Sequence, residues 1–189
     1  NPVFSSLFII ILVSSFGLQA FESIYSIMAT INFGFTTNDI ALVITISGSL
    51  ALICQVFLFD WIVSKLGEMR LIQLTFFVSA TFIAVIAFTT SHLVVVLSTF
   101  VVFLSFDLFR PAVTTYLSKN GGNQQGAING LNSTFTSFGN ILGPLAAGSL
   151  FDLNHFYPYY VSAMILLGTG FLSLFLTNMT SKKLLLKKS

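Results

Sequence analysis

The chain has 189 residues, 55% of them hydrophobic and 7% charged, with a formal net charge of +2. A water-soluble domain carries about 25% charged residues, so eight basic and six acidic side chains cannot cover a surface in water, and the solvent must be lipid. The small net charge gives no reason to expect a nucleic-acid partner, and the single cysteine, Cys54, excludes an internal disulfide and reads as a small buried hydrophobe in an apolar run.

A membrane span needs about 20 mainly apolar residues. Six such runs follow one another: Val3–Thr30, Ile40–Val63, Leu71–Thr90, Leu93–Leu117, Gly126–Leu150 and Tyr157–Asn178. The breaks are short. Thr36-Thr37-Asn38-Asp39 offers N-caps to the second run, and Gly121-Gly122-Asn123 reads as a turn. Short connections force antiparallel neighbours, so the expected fold is an all-α membrane bundle without a linker or a second domain. No basic segment precedes the first run and no small-residue cleavage site follows it, so a signal peptide is not expected. The first residue is Asn1 rather than Met, which suggests a segment of a longer polypeptide.

Orientation follows from the basic residues. With six alternating spans, Lys65, Arg70, Lys119, Lys182, Lys183, Lys187 and Lys188 all fall on one side, whereas the opposite loops hold Asp39, His92, Asp152 and His155 without a Lys or Arg. Both ends of the chain are therefore expected in the cytoplasm, with the basic tail, residues 181–189, at the lipid headgroups.

In the first span Ser15, Gln19, Glu22 and Ser26 share one helix face. Glu22 lies about eight residues from the outer end, or about 12 Å at 1.5 Å per residue. In the fourth span Asp107 and Arg110 are three residues apart and share a face, and Pro111 removes the donor that would bond the Asp107 carbonyl. In the fifth span Asn129, Asn132, Ser133, Thr136 and Asn140 form a polar stripe. The third and sixth spans are nearly uniformly apolar, carry no charge and should face lipid or apolar neighbours. The first, fourth and fifth spans should line whatever the protein encloses.

Charges at mid-membrane cost about 2.5–3.5 kcal/mol each on insertion scales, so they signal function. Asp107 and Arg110 can also be read as a self-neutralising pair that glues helices together. Burial disfavours the ionised form of a carboxylic acid and a nearby cation favours it; proton and cation then compete for one site, which suffices to couple their movements in opposite directions. Phe100, Phe103, Phe106 and Phe109, with Phe21 and Tyr25 beside Glu22, can supply an aromatic wall with cation–π capacity. With 22 Phe in the chain, lipid-facing and packing roles compete with that reading.

Small residues recur in the fifth span as Gly130-x8-Gly139-x3-Gly143-Pro144-x2-Ala147-Gly148, which gives points of close backbone approach and a proline kink. This spacing resembles the antiporter motif of the major facilitator superfamily. Asp60-x4-Lys65-x-Gly67-x2-Arg70 looks like a degenerate copy of that superfamily's cytoplasmic loop motif. Phe16-Gly17, Ala20-Phe21-Glu22, Tyr25-Ser26, Phe106-Asp107, Arg110-Pro111-Ala112 and the segment Gly130–Ser137 resemble the C-terminal half of NorA-type multidrug efflux pumps, over essentially the whole chain.

The resemblance implies a drug:proton antiporter of the bacterial plasma membrane that exports hydrophobic and cationic compounds such as quinolones and dyes and confers antibiotic resistance. Residues 1–189 would be helices seven to twelve of a twelve-helix fold, built as two inverted three-helix repeats and working with an N-terminal six-helix half. Glu22 and Asp107 would couple protons. Gln19, Glu22, Phe103, Phe106, Asp107, Arg110, Thr136 and Asn140 would bind substrate. Asp60, Lys65, Gly67, Arg70, Pro111, Gly130, Gly139, Gly143, Pro144 and Gly148 would carry the structural motifs. Gln19 stands where a smaller Ser is found in the family, so the substrate range should differ. Independently of the family, each three-span unit opens with an acid-bearing helix. A transporter for another small solute and an oligomeric six-helix channel or scaffold remain alternatives. An intramembrane enzyme would need a deep Ser–His pair, two deep aspartates or a metal set; none stands out, and no enzyme activity, metal or cofactor is expected.

Overall fold

The computed structural model describes the backbone of residues 2–186 and the side chains of residues 7–122 and 124–177. Lys187 and Lys188, and the side chains of Lys182 and Lys183, lie outside the described residues. Helices follow directly from the long apolar runs: α1 (Pro2–Phe33), α2 (Thr37–Ile53), α3 (Phe59–Leu66), α4 (Glu68–Phe88), α5 (His92–Asn120), α6 (Gln125–Leu153) and α7 (Tyr157–Leu186). A π-helical turn, Cys54–Leu58, joins α2 to α3 in one continuous rod, so six rods stand where six spans are expected.

Caps set the ends. Gly34, at φ +64°, reverses the chain after α1. Thr36 and Asp39 then form a reciprocal capping box, the Thr36 N–H donating to Asp39 Oδ2 at 2.9 Å and the Asp39 N–H to Thr36 Oγ1 at 3.3 Å. Gly67, at φ +79°, makes the α3–α4 turn, and Gly122, at φ +50°, belongs to the α5–α6 turn. Two contacts tie the ends across the bundle. At one end His92 Nε2 lies 2.6 Å from the Phe33 carbonyl and its ring stacks on Phe35. At the other, Lys119 pairs with Glu68.

Five of the rods are long and apolar enough to cross a membrane among the described residues. In α1 the stretch Leu7–Phe33 has 27 residues, about 40 Å of helix against a hydrocarbon core of about 30 Å, a mismatch that tilt absorbs. α6 is the rod outside that set, because Asn129, Asn132, Ser133, Thr134, Thr136, Ser137 and Asn140 dilute its apolar content. It runs unbroken through Pro144, as α5 does through Pro111, so neither proline ends its helix.

The π-turn has a packing reason. Buried Ile40, Val43, Ser47 and Ala51 follow the helical period, but the next buried residue is Phe59, one position later than a continuous α-helix would place it. The π-turn takes up the extra residue, with the Phe59 N–H bonded to the Cys54 carbonyl. Cys54 is half-buried in this turn rather than sealed in a core.

The two three-rod units interlock symmetrically. α1 packs on α6 as α5 packs on α2, α4 packs on α5 as α7 packs on α1, and α4 meets α7. The mainly apolar α4 is central: Leu71, Ile72, Phe76, Ala80, Ile83 and Ile86 are buried. Its neighbours are α5 and α7, so the apolar alternative expected from its composition applies to most of its surface. Close approach of α1 and α6 depends on glycine. A Cβ at Gly139 would stand 2.6 Å from Ser15 Cβ and 2.7 Å from the Phe16 nitrogen, and one at Gly143 would stand 2.8 Å from the Phe16 oxygen. Gly130 and Gly148, expected to act likewise, meet nothing within 4 Å. On an α-helix they fall on other faces, and Ala147, fully buried, takes the packing position.

Candidate functional site

Where α1, α5 and α6 meet, a cavity of ≈ 320 Å³ opens, within the range of small-molecule sites. α1 supplies Ile11, Ser15, Leu18 and Gln19, α5 supplies Phe109, Arg110, Val113 and Thr114, and α6 supplies the polar stripe from Asn132 to Asn140. These are the three helices that the sequence marks as polar. The α1–α6 glycine contact sets the wall, because a Gly143 Cβ would lie 3.1 Å from Gln19 Cβ and any larger residue would push Gln19 and Asn140 apart.

The uncharged polar side chains that α1 and α6 give this wall are uncommitted. Ser15, Gln19, Asn132, Ser133, Thr136, Ser137 and Asn140 make no side-chain hydrogen bond among the described residues, whereas hydroxyls elsewhere on the helices bond back one turn, as Thr134 does to the Gly130 carbonyl at 2.9 Å. Thr114 donates to the Arg110 carbonyl at 3.1 Å. Donors and acceptors without protein partners face a space of ligand size.

Charge is concentrated at Arg110, the cation in the wall. Its Nη2 lies 3.8 Å from Glu22 Oε2, an ion pair beyond hydrogen-bond distance between two partly exposed side chains. The contact within ion-pair distance is to α1 rather than to Asp107, which stays half-buried one turn away on α5 and within electrostatic reach of the same guanidinium. Sequence spacing can name only partners on the same helix, and crossing geometry decides this one. Glu22 is exposed at the bundle surface rather than enclosed within these six rods.

Of the expected binding residues, Gln19, Arg110, Thr136 and Asn140 line the cavity, and Glu22 reaches it through Arg110. Phe103 and Phe106 do not line it. They pack edge-on against the fully buried Phe21, at ring-centroid distances of 6.2 and 5.9 Å, in a cluster with Tyr25 and Tyr159. Phe106 belongs to the core between α1, α5 and α7, Phe103 packs half-buried against it, and Phe109 is the α5 ring that reaches the cavity. Asn132, Ser133 and Ser137 belong to the wall through the period of α6, and Thr114 through the i+4 spacing from Arg110. That spacing is the signal that reading α5 for charge alone overlooks.

The loop residues Asp60, Lys65 and Arg70 are exposed and form no ion pair among the described residues. The ion pair at that end is Glu68–Lys119, which ties the start of α4 to the end of α5. Gly67 alone of that motif has a conformational role here, through its positive φ.

Comparison with known proteins gives a consistent picture. A family model described as Major Facilitator Superfamily matches residues 7–188. Multidrug resistance protein 2 of Bacillus subtilis (strain 168) is 47% identical over 167 residues, which are 88% of this chain and 42% of that protein. Multidrug resistance protein 1 of the same organism is 44% identical over 165 residues, 87% of this chain and 42% of that protein. Quinolone resistance protein NorA of Staphylococcus aureus (strain Mu50 / ATCC 700699) is 39% identical over 160 residues, 85% of this chain and 41% of that protein. The chain thus spans less than half the length of these relatives.

Proposed function

The chain belongs to the Major Facilitator Superfamily, and from that premise we propose that it forms the C-terminal six-helix half of a proton-driven exporter of hydrophobic and cationic compounds, quinolones and dyes among them. The observation that carries this reading is the uncommitted polar wall around Arg110, with Glu22 paired to that arginine and Asp107 one turn away. A carboxylate that loses its charge on protonation releases the guanidinium, and a cationic guest competes with the same proton. Either event changes what the cavity can hold. The resistance proteins to which the chain is similar support drugs as the cargo. The chain works as a transporter rather than an enzyme, and nothing in this mechanism calls for a cofactor.

The partners are then small-molecule drugs, protons, the lipid bilayer and an N-terminal six-helix half in the same or a separate chain. The location is the bacterial plasma membrane. On this reading both ends lie in the cytoplasm, which is supported by Lys65, Arg70 and Lys119 at one end of the bundle and Asp39, His92, Asp152 and His155 at the other. Residues 181–189 form the basic tail on the cytoplasmic side.

The test is energised dye efflux from cells carrying the full-length gene, with Glu22→Gln and Asp107→Asn made in turn. Each is expected to lower the gradient-driven rate by about tenfold or more, within the usual range of coupling between sites, while downhill dye equilibration continues. Energised efflux that survives both neutralisations would overturn the coupling, and dye flux indifferent to the proton gradient from the outset would favour a passive pore.

A further inference from the structure

Behind the acidic face of α1, at the junction of α1, α5 and α7, lies a second polar cluster that the transport reading does not use. The hydroxyls of Tyr25, Tyr159 and Ser162 are buried without a hydrogen-bond partner, although the three residues are 1%, 0% and 0% exposed. The two phenols belong together. Tyr25 and Tyr159 both flank the Phe21 ring, at centroid distances of 5.9 and 5.0 Å, and the two phenol groups interact electrostatically. Ser162 follows Tyr159 by three residues on the same face of α7. On α5, Thr99 faces the Tyr25 hydroxyl without reaching hydrogen-bond geometry, its own proton being given to the Val95 carbonyl at 2.8 Å. It therefore offers only acceptor lone pairs to the cluster.

A lone buried hydroxyl is an exception in folded proteins, and several at one junction call for a shared partner. In an apolar interior that partner is water, which satisfies two to four polar groups at once. The surrounding rings of Phe21 and Phe103 offer no competing donor or acceptor. We propose that Tyr25, Thr99, Tyr159 and Ser162 form a buried hydration site that holds ordered water and fastens α1, α5 and α7 together, one turn outward of Glu22. The water donates to the Thr99 and Ser162 oxygens and accepts from the phenols. This site is separate from the cavity at Arg110, and its test does not depend on transport.

Two measurements on the purified full-length protein decide it. In the first, thermal unfolding is compared for Tyr25→Phe, Tyr159→Phe and the double variant, each change deleting one oxygen without altering ring volume. If water bridges the phenols, each single variant unfolds about 2–4 °C lower, and the double falls by less than the sum, because either deletion breaks the shared bridge. An unchanged or raised midpoint overturns the site, since removing an unpaired buried hydroxyl relieves its desolvation. A strictly additive fall overturns it as well, because the hydroxyls then have separate partners. The second measurement needs no variant. Water-edited solid-state NMR of tyrosine-labelled protein in lipid should transfer magnetisation from water to the ring carbon bearing the Tyr159 hydroxyl, despite its burial. Absence of that transfer overturns the proposal.

Discussion

The α1–α6 and α4–α7 junctions are built from the same residue types and differ in what those residues do. Both rely on glycine for close approach. Gly139 and Gly143 admit the backbone of α1, and Gly170 admits the ring of Phe77, whose atoms a Cβ there would meet at 3.1–3.3 Å. Both carry hydroxyls and amides. At α4–α7 these are used up inside the protein: Gln73 donates to Thr177 at 3.1 Å, Thr169 to the Ile165 carbonyl at 2.7 Å, and Ser173 to the Gly170 carbonyl at 2.8 Å. At α1–α6 the wall from Asn132 to Asn140 remains unspent and opens on a cavity. Polar content alone does not mark a site in a membrane bundle; polar content without internal partners does.

That contrast can be broken most severely at Gly139. Gly139→Leu drives a side chain into backbone atoms that already stand 2.7–2.8 Å from an ideal Cβ, so α1 and α6 must separate. The expected result is loss of energised efflux and a drop of about 3 kcal/mol or more in stability, at the upper end of overpacking penalties, read by efflux and by thermal unfolding of the purified protein. Next in size, Asn140→Ala and Thr136→Val should leave the unfolding midpoint nearly unchanged and shift the apparent affinity for exported dye several-fold, about 1 kcal/mol or less per lost hydrogen bond. Gln73→Leu should do the reverse, lowering stability by about 0.6–1.7 kcal/mol, the range for hydrogen bonds between membrane helices, with dye affinity intact. If the two sets exchanged effects, the distinction between spent and unspent polar groups would fail. The smallest effect belongs to Gly148→Ala, where a Cβ meets nothing within 4 Å of these helices. Stability should rise by at most about 1 kcal/mol. A clear fall in the full-length protein would instead place another protein surface on that face.

Much of this was legible in the sequence because it depends on one helix at a time. Rod lengths follow from apolar runs, the Thr36–Asp39 cap from its spacing, and the identity of the three wall helices from their polar stripes. What depended on pairs of helices was not legible. Arg110 meets Glu22 as well as Asp107 because α1 crosses close by. Phe106 is drawn into the core and Phe103 against it by Phe21, although their own helix gives them the same face as the charged residues. Gly130 and Gly148 share a motif with Gly139 and Gly143 yet meet nothing, because a glycine becomes a contact only where another backbone arrives. The π-turn at Cys54–Leu58 was hidden for a related reason: it repairs a phase error against neighbouring helices that no local signal records.

The outer surface of α6 sets a boundary condition on the whole assembly. Ser133 and Ser137 border the cavity and also a shallow outward groove shared with Thr134, Phe138 and Ile141. The partition between the two is therefore a single helix, hydroxyl-bearing on either side. Acyl chains offer such side chains no hydrogen bonds, so hydrocarbon is a poor neighbour for this stripe, and its stable environment is water or another polypeptide. The stripe on α6 is thus unsuited to hydrocarbon, whichever of the two covers it.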